Sequence, residues 1–142
     1  MFVLAFSRSD DPWGPGFALM VARGARVVWV CEGRPVRVYR LRKFYIDSYE
    51  EEIVDDRGIR RKVGVVSMCF EVENPAAPWL GGLSTLEVSF YRDENIRVEE
   101  KGDVVVLAAD RDLPERDSWR KVVVVADRET AFRVLCALSL GT

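Results

Sequence analysis

The sequence predicts a mostly β, α+β fold, in which a strongly bent antiparallel sheet or partly open β-barrel carries one C-terminal helix packed on it. About nine short apolar or alternating runs are separated by short turns, and such short connections require antiparallel pairing. Only the C-terminal end has helical periodicity. Because 142 residues is an ordinary length for one domain, residues 1–142 are predicted to form a single globular domain.

The predicted strands are apolar or alternating runs bounded by turn residues. In residues 84–90, Leu86, Val88 and Phe90 alternate with polar residues, as in a strand with one buried face. Asn74-Pro75 is typical of the stretches that end a strand. On this basis strands are predicted at 2–6, 17–22, 27–31, 36–46, 63–72, 84–90, 96–99, 104–109 and 122–125.

Residues 50–62 carry a separation of charge. Five of the seven residues in 50–56 are acidic, a turn follows at Arg57-Gly58, and basic residues occupy 60–62. Acid on one arm and base on the other favours an exposed hairpin with ion pairs between its strands.

The final strand and helix follow from the last part of the chain. The unbroken β-branched run 122–125 predicts a strand buried on both faces. Asp127 is suited to cap the helix that follows, and Gly141 to end it. The apolar helix face is predicted to contain Ala131, Val134, Leu135 and Leu138, widened by Phe132 and Leu140.

Composition narrows the function classes. The chain has no His and a formal net charge of −2, which argues against a surface that is wholly a nucleic-acid footprint. Few amide side chains beside many charged ones is a pattern found in thermophile proteins. Three widely spaced cysteines in apolar surroundings indicate small buried side chains in a reducing cytoplasm. No stretch is long enough for a membrane span, so we expect a cytoplasmic protein without membrane contact.

The absence of His also bears on chemistry. It removes the usual general base and most transition-metal sites, so we predict no catalytic residues, no cofactor and no metal. Three carboxylate pairs, Glu71/Glu73, Glu99/Glu100 and Asp110/Asp112, leave a carboxylate-dependent metal enzyme as a third hypothesis.

The strand at residues 34–45 combines basic and aromatic side chains. Arg beside exposed rings suits single-stranded nucleic acid, which places phosphates on cations and bases on rings. The alternative is an edge strand whose arginines pair with the acidic residues 50–56. In a regular strand Arg40 and Arg42 would share one face with Phe44. The opposite face would then carry Arg37, Tyr39, Lys43 and Tyr45.

Two loops present a tryptophan between Pro and Gly residues. They are residues 12–16, which contain Trp13, and residues 78–82, which contain Trp79. Tryptophan is a frequent anchor at protein interfaces, because it buries a large area at small entropic cost. The equally weighted alternative is that each indole folds back as a lid over the end of the sheet.

The sequence therefore predicts a small non-catalytic binding or adaptor domain that contacts another protein or associates with itself. Trp13 and Trp79 would be its binding residues. The alternative is a single-stranded nucleic-acid-binding protein that uses Arg37, Tyr39, Arg40, Lys43 and Tyr45.

Overall fold

A computed structural model describes residues 1–9, 17–31, 37–54, 57–110 and 119–140. These residues form nine strands, one short 3-10 helix at Pro78–Leu80 and one α-helix. The strands are β1 (Phe2–Ser9), β2 (Phe17–Arg23), β3 (Arg26–Cys31), β4 (Arg37–Val54), β5 (Arg60–Glu73), β6 (Leu83–Tyr91), β7 (Ile96–Lys101), β8 (Val104–Asp110) and β9 (Trp119–Asp127), and the helix is α1 (Arg128–Ser139).

All nine strands belong to one antiparallel sheet with the order β6-β5-β4-β3-β2-β1-β9-β8-β7. The edge strands β6 and β7 are consecutive in the chain, joined only by residues 92–95. Five Cα–Cα steps span at most about 19 Å, so the two edges must approach each other at this corner. The sheet is accordingly curled into a half-barrel, which confirms the predicted fold class.

The concave face of the sheet holds the hydrophobic core. Alternate residues of β1, β2, β5, β6, β8 and β9 are buried there, together with Val27 of β3, and β4 contributes partly buried side chains. The rings of Phe44 and Phe70 lie 5.0 Å apart at an interplanar angle of 44° in this core. Its largest fully buried side chains are Phe70, Phe90, Met20, Met68 and Leu107.

Helix α1 packs into the concave face through Ala131 and Val134, which are fully buried, with Leu135 and Leu138 at the margin. The predicted widening of this face by Phe132 and Leu140 is wrong, since their side chains are 68% and 86% exposed. Successive helical residues point about 100° apart, so Phe132 is turned away when Ala131 faces the core. Leu140 lies beyond the last helical residue, Ser139.

Only the concave side of the sheet is covered by the helix. In β9, Val122 and Val124 are buried, whereas Val123 and Val125, on the convex side, are partly exposed. The prediction that this strand is buried on both faces is therefore wrong. An unbroken β-branched run favours a strand, but it does not show how many faces are covered.

Asp127 caps α1, as predicted. Its carboxylate accepts hydrogen bonds from the backbone N–H of Thr130 (3.2 Å) and from the Thr130 hydroxyl (2.7 Å). It also accepts one from the backbone N–H of Phe2 (2.9 Å), which ties the helix to the start of β1. Burial alone would raise the pKa of Asp127, but these hydrogen bonds and the nearby amino terminus lower it below its usual 3.8.

We expect Asp127→Ala to lower the free energy of unfolding at pH 7 by about 0.5–2 kcal/mol, the usual worth of a helix cap. Because the folded-state pKa is depressed, this stabilisation is present above pH 3.8 and is lost as the pH falls through the folded-state pKa. Urea unfolding at pH 7 and below pH 3 measures both effects. Asp127→Asn keeps the cap without the titration, and a parent–Asn difference that does not shrink in acid would contradict the assignment.

Arg92 fastens the other end of the helix. From the corner between β6 and β7, its guanidinium donates to the backbone carbonyls of Ala137 (2.6 Å) and Leu138 (2.8 Å) and to the Ser48 hydroxyl (2.5 Å). The carbonyls of a last helical turn lack intrahelical partners and carry partial negative charge. Gly64 makes room for this side chain, since a Cβ there would lie 2.3 Å from Arg92 Cδ.

The charged hairpin is the extension of β4 and β5. β4 runs for 18 residues to Val54, well past the predicted end at residue 46. An ion pair joins Arg60 and Glu52 across the strands at 3.5 Å, as expected. The hairpin also buries a small apolar cluster, which consists of Ile53, Val63, Val65 and Tyr91.

Candidate binding site

Trp79 and Leu80 lie on the loop between β5 and β6 and are among the most exposed apolar side chains of the described residues, at 77% and 60%. Their loop, residues 74–82, connects the end of β5 to the start of the edge strand β6. A binding anchor would be exposed to solvent, whereas a lid over the end of the sheet would be buried. The exposure of Trp79 therefore shows that the lid alternative is wrong for this residue. Trp13 lies outside the described residues.

The loop holds its exposed side chains in a fixed geometry. Backbone hydrogen bonds close it from Asn74 N–H to Gly82 (2.7 Å) and from Gly82 N–H to Ala77 (3.1 Å). The Asn74 side chain donates to the Ser84 hydroxyl (2.9 Å), which joins the loop to β6. Gly81 and Gly82 have φ values of 71° and 73°, a conformation that strongly favours glycine. The exposed indole is thus mounted on an ordered support.

The basic strand is interrupted by a β-bulge. Leu41 pairs with Val72 but Lys43 pairs with Glu71, so Arg42 is an extra residue in β4. The bulge reverses the alternation, and the predicted sharing of faces is wrong. Tyr39 packs against the concave core, as Phe44 does, whereas Arg40, Lys43 and Tyr45 lie on the convex side. Arg37 is exposed on the side of Tyr39 at the strand's start.

The arginines of β4 do not oppose residues 50–54, because these belong to the far end of the same strand. β4 is also an interior strand, between β3 and β5. Arg42 instead pairs with Glu73 of β5 at 3.7 Å. Both parts of the edge-strand alternative are therefore wrong for the described residues.

The surroundings of Tyr45 carry charges of both signs. Lys43 Nζ lies 5.2 Å from the centroid of its ring. The pKa of Tyr45 is raised first by Cys69, then by burial, by a hydrogen bond to Cys69, and by the charges of Asp47 and Glu71. The Lys43 ammonium would attract a phosphate at this end of β4, and the carboxylates of Asp47 and Glu71 would oppose it.

A row of three arginines crosses the convex side of β2, β3 and β4. Arg26 is directly opposite Arg23 on one side and Arg40 on the other. Like charges in adjacent positions repel each other, and no described residue forms an ion pair with any of the three. Sequence reasoning missed Arg23 and Arg26. The predicted turn between β2 and β3 was a signal that could have placed Arg23 opposite Arg26. The position of Arg40 opposite Arg26 could not have been found in this way, because it depends on the register of β3 with β4.

A groove of about 320 Å³ lies between α1 and strands β7 and β8. Its apolar wall includes Val98, Val105 and Phe132. The cation at its rim, Arg128, already binds the Gly102 carbonyl (2.7 Å) and the Glu100 carboxylate (3.3 Å). The groove therefore offers mainly apolar contact area, and Glu129 of the first turn of α1 is a further charged residue in its lining.

Among the described residues, one nucleophile lies beside a carboxylate, since the Cys69 thiol donates to Glu87 Oε1 at 3.8 Å. Burial, with Glu87 and Asp47 nearby, raises the pKa of Cys69 to about 11, so its thiol is protonated at neutral pH. The Ser67 and Ser89 hydroxyls are 2.6 Å apart, and the other neighbour of Ser67 is the Tyr49 hydroxyl at 3.4 Å. The hydroxyls of Ser67, Ser89 and Tyr49 are not general bases at neutral pH.

Several carboxylates of the third hypothesis take part in ion pairs, and Asp112 lies outside the described residues. Glu99 and Glu100 are adjacent in β7 and so point to opposite faces. Their partners are Lys101 and Arg128 respectively, and Asp110 pairs with Arg97 at 3.2 Å. Over the described ranges no three or more Asp, Glu or Cys side chains lie close enough together to hold a metal ion.

We expect removal of divalent metal by EDTA to leave the melting temperature unchanged, because the carboxylates above are neutralised by Arg and Lys. Differential scanning fluorimetry with and without EDTA measures this. A fall of several degrees that added Mg²⁺ or Ca²⁺ restores would contradict the expectation and favour the metal-enzyme hypothesis.

Comparison with protein-family models, curated proteins and solved structures gives no match to this chain. Within the described residues no helix combines the length and apolar character needed to span a membrane.

Proposed function

We propose that this protein is a non-catalytic protein-binding module whose contact site is centred on Trp79 and Leu80. The observation that carries the proposal is the exposure of these two side chains, 77% and 60%, on a loop closed by its own hydrogen bonds. Trp is among the residues most enriched at the energetic centres of protein interfaces.

Trp79 leaves a large apolar area in contact with water. An indole that is 77% exposed presents roughly 150 Å² to water. At about 25 cal/mol per Å², covering that area would contribute up to about 4 kcal/mol to binding. The ordered loop raises the share of this energy that is realised, because little conformational entropy is lost on association.

Selection of peptides from a random twelve-residue display library on the immobilised protein tests the proposal. We expect peptides that bind reversibly at micromolar concentration and compete with one another for one site. Failure to enrich any peptide over repeated rounds would contradict a peptide-binding site.

The second candidate function is binding of single-stranded nucleic acid, and the arginine row of Arg23, Arg26 and Arg40 favours it. Neighbouring strands lie about 4.8 Å apart, so the row is a track of cations that could follow a phosphate backbone. The aromatic residues near the arginine row favour the protein-binding module instead. Tyr39 packs against the core, and Tyr45 has carboxylates among its neighbours.

Retention of a fluorescent oligothymidylate measures this alternative. If the row binds phosphates, affinity falls steeply with salt, with a log–log slope of about −0.7 per neutralised phosphate on a single strand. Changing Arg23, Arg26 and Arg40 together to Ala would then remove the slope. We expect instead no retention at physiological salt.

A further inference from the structure

The open edge of β6 adjoins the Trp79 loop directly. β6 is the terminal strand of the sheet, and no described residue pairs with its outer side. The loop ends at Gly82 and β6 begins at Leu83. The exposed indole of Trp79 thus lies at one end of the outer side of β6, where no described strand is paired.

The residues whose backbone groups face this edge follow from the register. Hydrogen-bonded pairs flank the β5–β6 ladder at both ends, from Asn74 N–H to the Gly82 carbonyl and from Arg92 N–H to the Gly64 carbonyl. In an antiparallel ladder, hydrogen-bonded and non-hydrogen-bonded pairs alternate. The even residues of β6 therefore bond to β5. The backbone N–H and C=O of Leu83, Thr85 and Glu87 point to the open edge.

The two edges of the sheet differ in protection. Natural proteins guard an exposed edge with charges, prolines, bulges or a covering element. β7 has four charged residues in six, and Arg128 binds beside it. β6 has nine residues, no proline, one charge at Glu87 and an unbroken register with β5. Among the strands that the structure describes, β6 is therefore the edge without these protections.

The side chains around the edge define the chemistry of its occupant. On the concave side β6 presents Leu86, Val88 and Phe90, which line the core. On the convex side Glu87 stands on the edge strand and Glu71 follows on β5, whereas Glu73 already pairs with Arg42. An added strand would need apolar residues on one face and basic residues on the other.

A second copy of the same strand fits less well. Antiparallel pairing about the centre of β6 would place Glu87 opposite its own copy, and like charges directly opposite each other are unfavourable.

We propose that β6 binds an extended segment of another protein as a tenth strand, with alternating apolar and basic residues and an anchor against Trp79. This inference rests on the proposed function and specifies its partner. The backbone of the segment would bond to Leu83, Thr85 and Glu87, as in recognition by strand addition.

Substitution of Thr85 tests the proposal without disturbing the fold. Its N–H faces the open edge, so Thr85→Pro removes a donor that β5 does not use, at a position where an edge strand tolerates proline. With peptides selected on the parent protein, we expect Thr85→Pro to raise Kd at least about tenfold, through a lost hydrogen bond and a blocked edge. Thr85→Val keeps the N–H and should leave Kd within about twofold.

A charge reversal gives a second test that keeps the backbone intact. The selected peptides should alternate apolar residues with Lys or Arg, and Glu87→Lys should weaken their binding about tenfold. Amide exchange reports the site directly, since the amides of Thr85 and Glu87 should exchange rapidly in the free protein and become protected by the peptide.

The outcomes separate the two proposals. Peptides that lose affinity with Trp79→Ala but not with Thr85→Pro or Glu87→Lys would overturn strand addition and leave the binding module standing. Self-association abolished by Thr85→Pro would identify a second copy as the occupant and overturn the basic segment. Failure to select any peptide would overturn both proposals.

Discussion

Replacing Phe70 by alanine is expected to lower the free energy of unfolding by about 3–5 kcal/mol. Phe70 of β5 is fully buried, and its ring packs against that of Phe44 in the concave core, with the two rings tilted by 44°. The substitution removes a large apolar area and leaves a cavity that rigid strands on either side cannot fill. A loss of this size is a large part of the total stability of an ordinary domain.

Urea unfolding followed by circular dichroism measures the effect, and Phe132→Ala is the matched control. Phe132 is an aromatic residue with a 68% exposed side chain, so its truncation should change stability by no more than about 0.5 kcal/mol. Equal effects of the two substitutions would show that the concave face is not the core.

Arg92→Ala is expected to lower the free energy of unfolding by about 2–3 kcal/mol, in the range for hydrogen bonds to charged groups. The arginine binds two carbonyls at the end of α1 and the Ser48 hydroxyl of β4. It is the link between the helix C-terminus and the corner at which the sheet edges approach. Equilibrium unfolding in urea gives the value.

A double-mutant cycle with Gly64→Ala isolates this contact. A Cβ at Gly64 would overlap the Arg92 side chain, so Gly64→Ala should cost about 1–3 kcal/mol in the parent. In the Arg92→Ala background the overlap is gone and the cost should vanish. Additive effects of the two substitutions would contradict the contact between Arg92 and Gly64, because residues in contact are expected to couple.

Local patterns in the sequence were sufficient for the fold class. Alternation placed Val88 and Phe90 on the buried face of β6, and Asp127 marked the start of the helix. These features depend on residues close together in the chain, so periodicity and capping rules could identify them. Short connections were sufficient to predict the antiparallel pairing, whereas the curl follows from residues 92–95, which join the two edge strands.

Features that depend on register were not predictable. The extra residue at Arg42 reverses the faces of β4, and no composition signal separates a bulge from a regular strand. The arginine row arises because Arg26 meets Arg40 across two strands. The course of β4 beyond residue 46 was missed because charged residues dominate it, although Ile53 is buried in the hairpin.

The candidate site was only partly predictable. Pro and Gly residues around Trp79 identified an ordered loop, but a lid and an anchor have the same sequence signature. Exposure of the indole depends on where the loop lies relative to the sheet edge. The open edge of β6 required the full strand order, because β6 pairs with β5 on one side and with no described residue on the other.

The most direct test of the proposed function compares binding and stability in one variant, Trp79→Ala. For peptides selected on the parent protein, Kd measured by fluorescence polarisation should rise about 30-fold or more, equivalent to about 2 kcal/mol. The free energy of unfolding should change by no more than about 0.5 kcal/mol, and Phe132→Ala should change neither quantity. A stability loss of about 3–5 kcal/mol with unchanged peptide affinity would contradict the account and show that Trp79 is a structural residue.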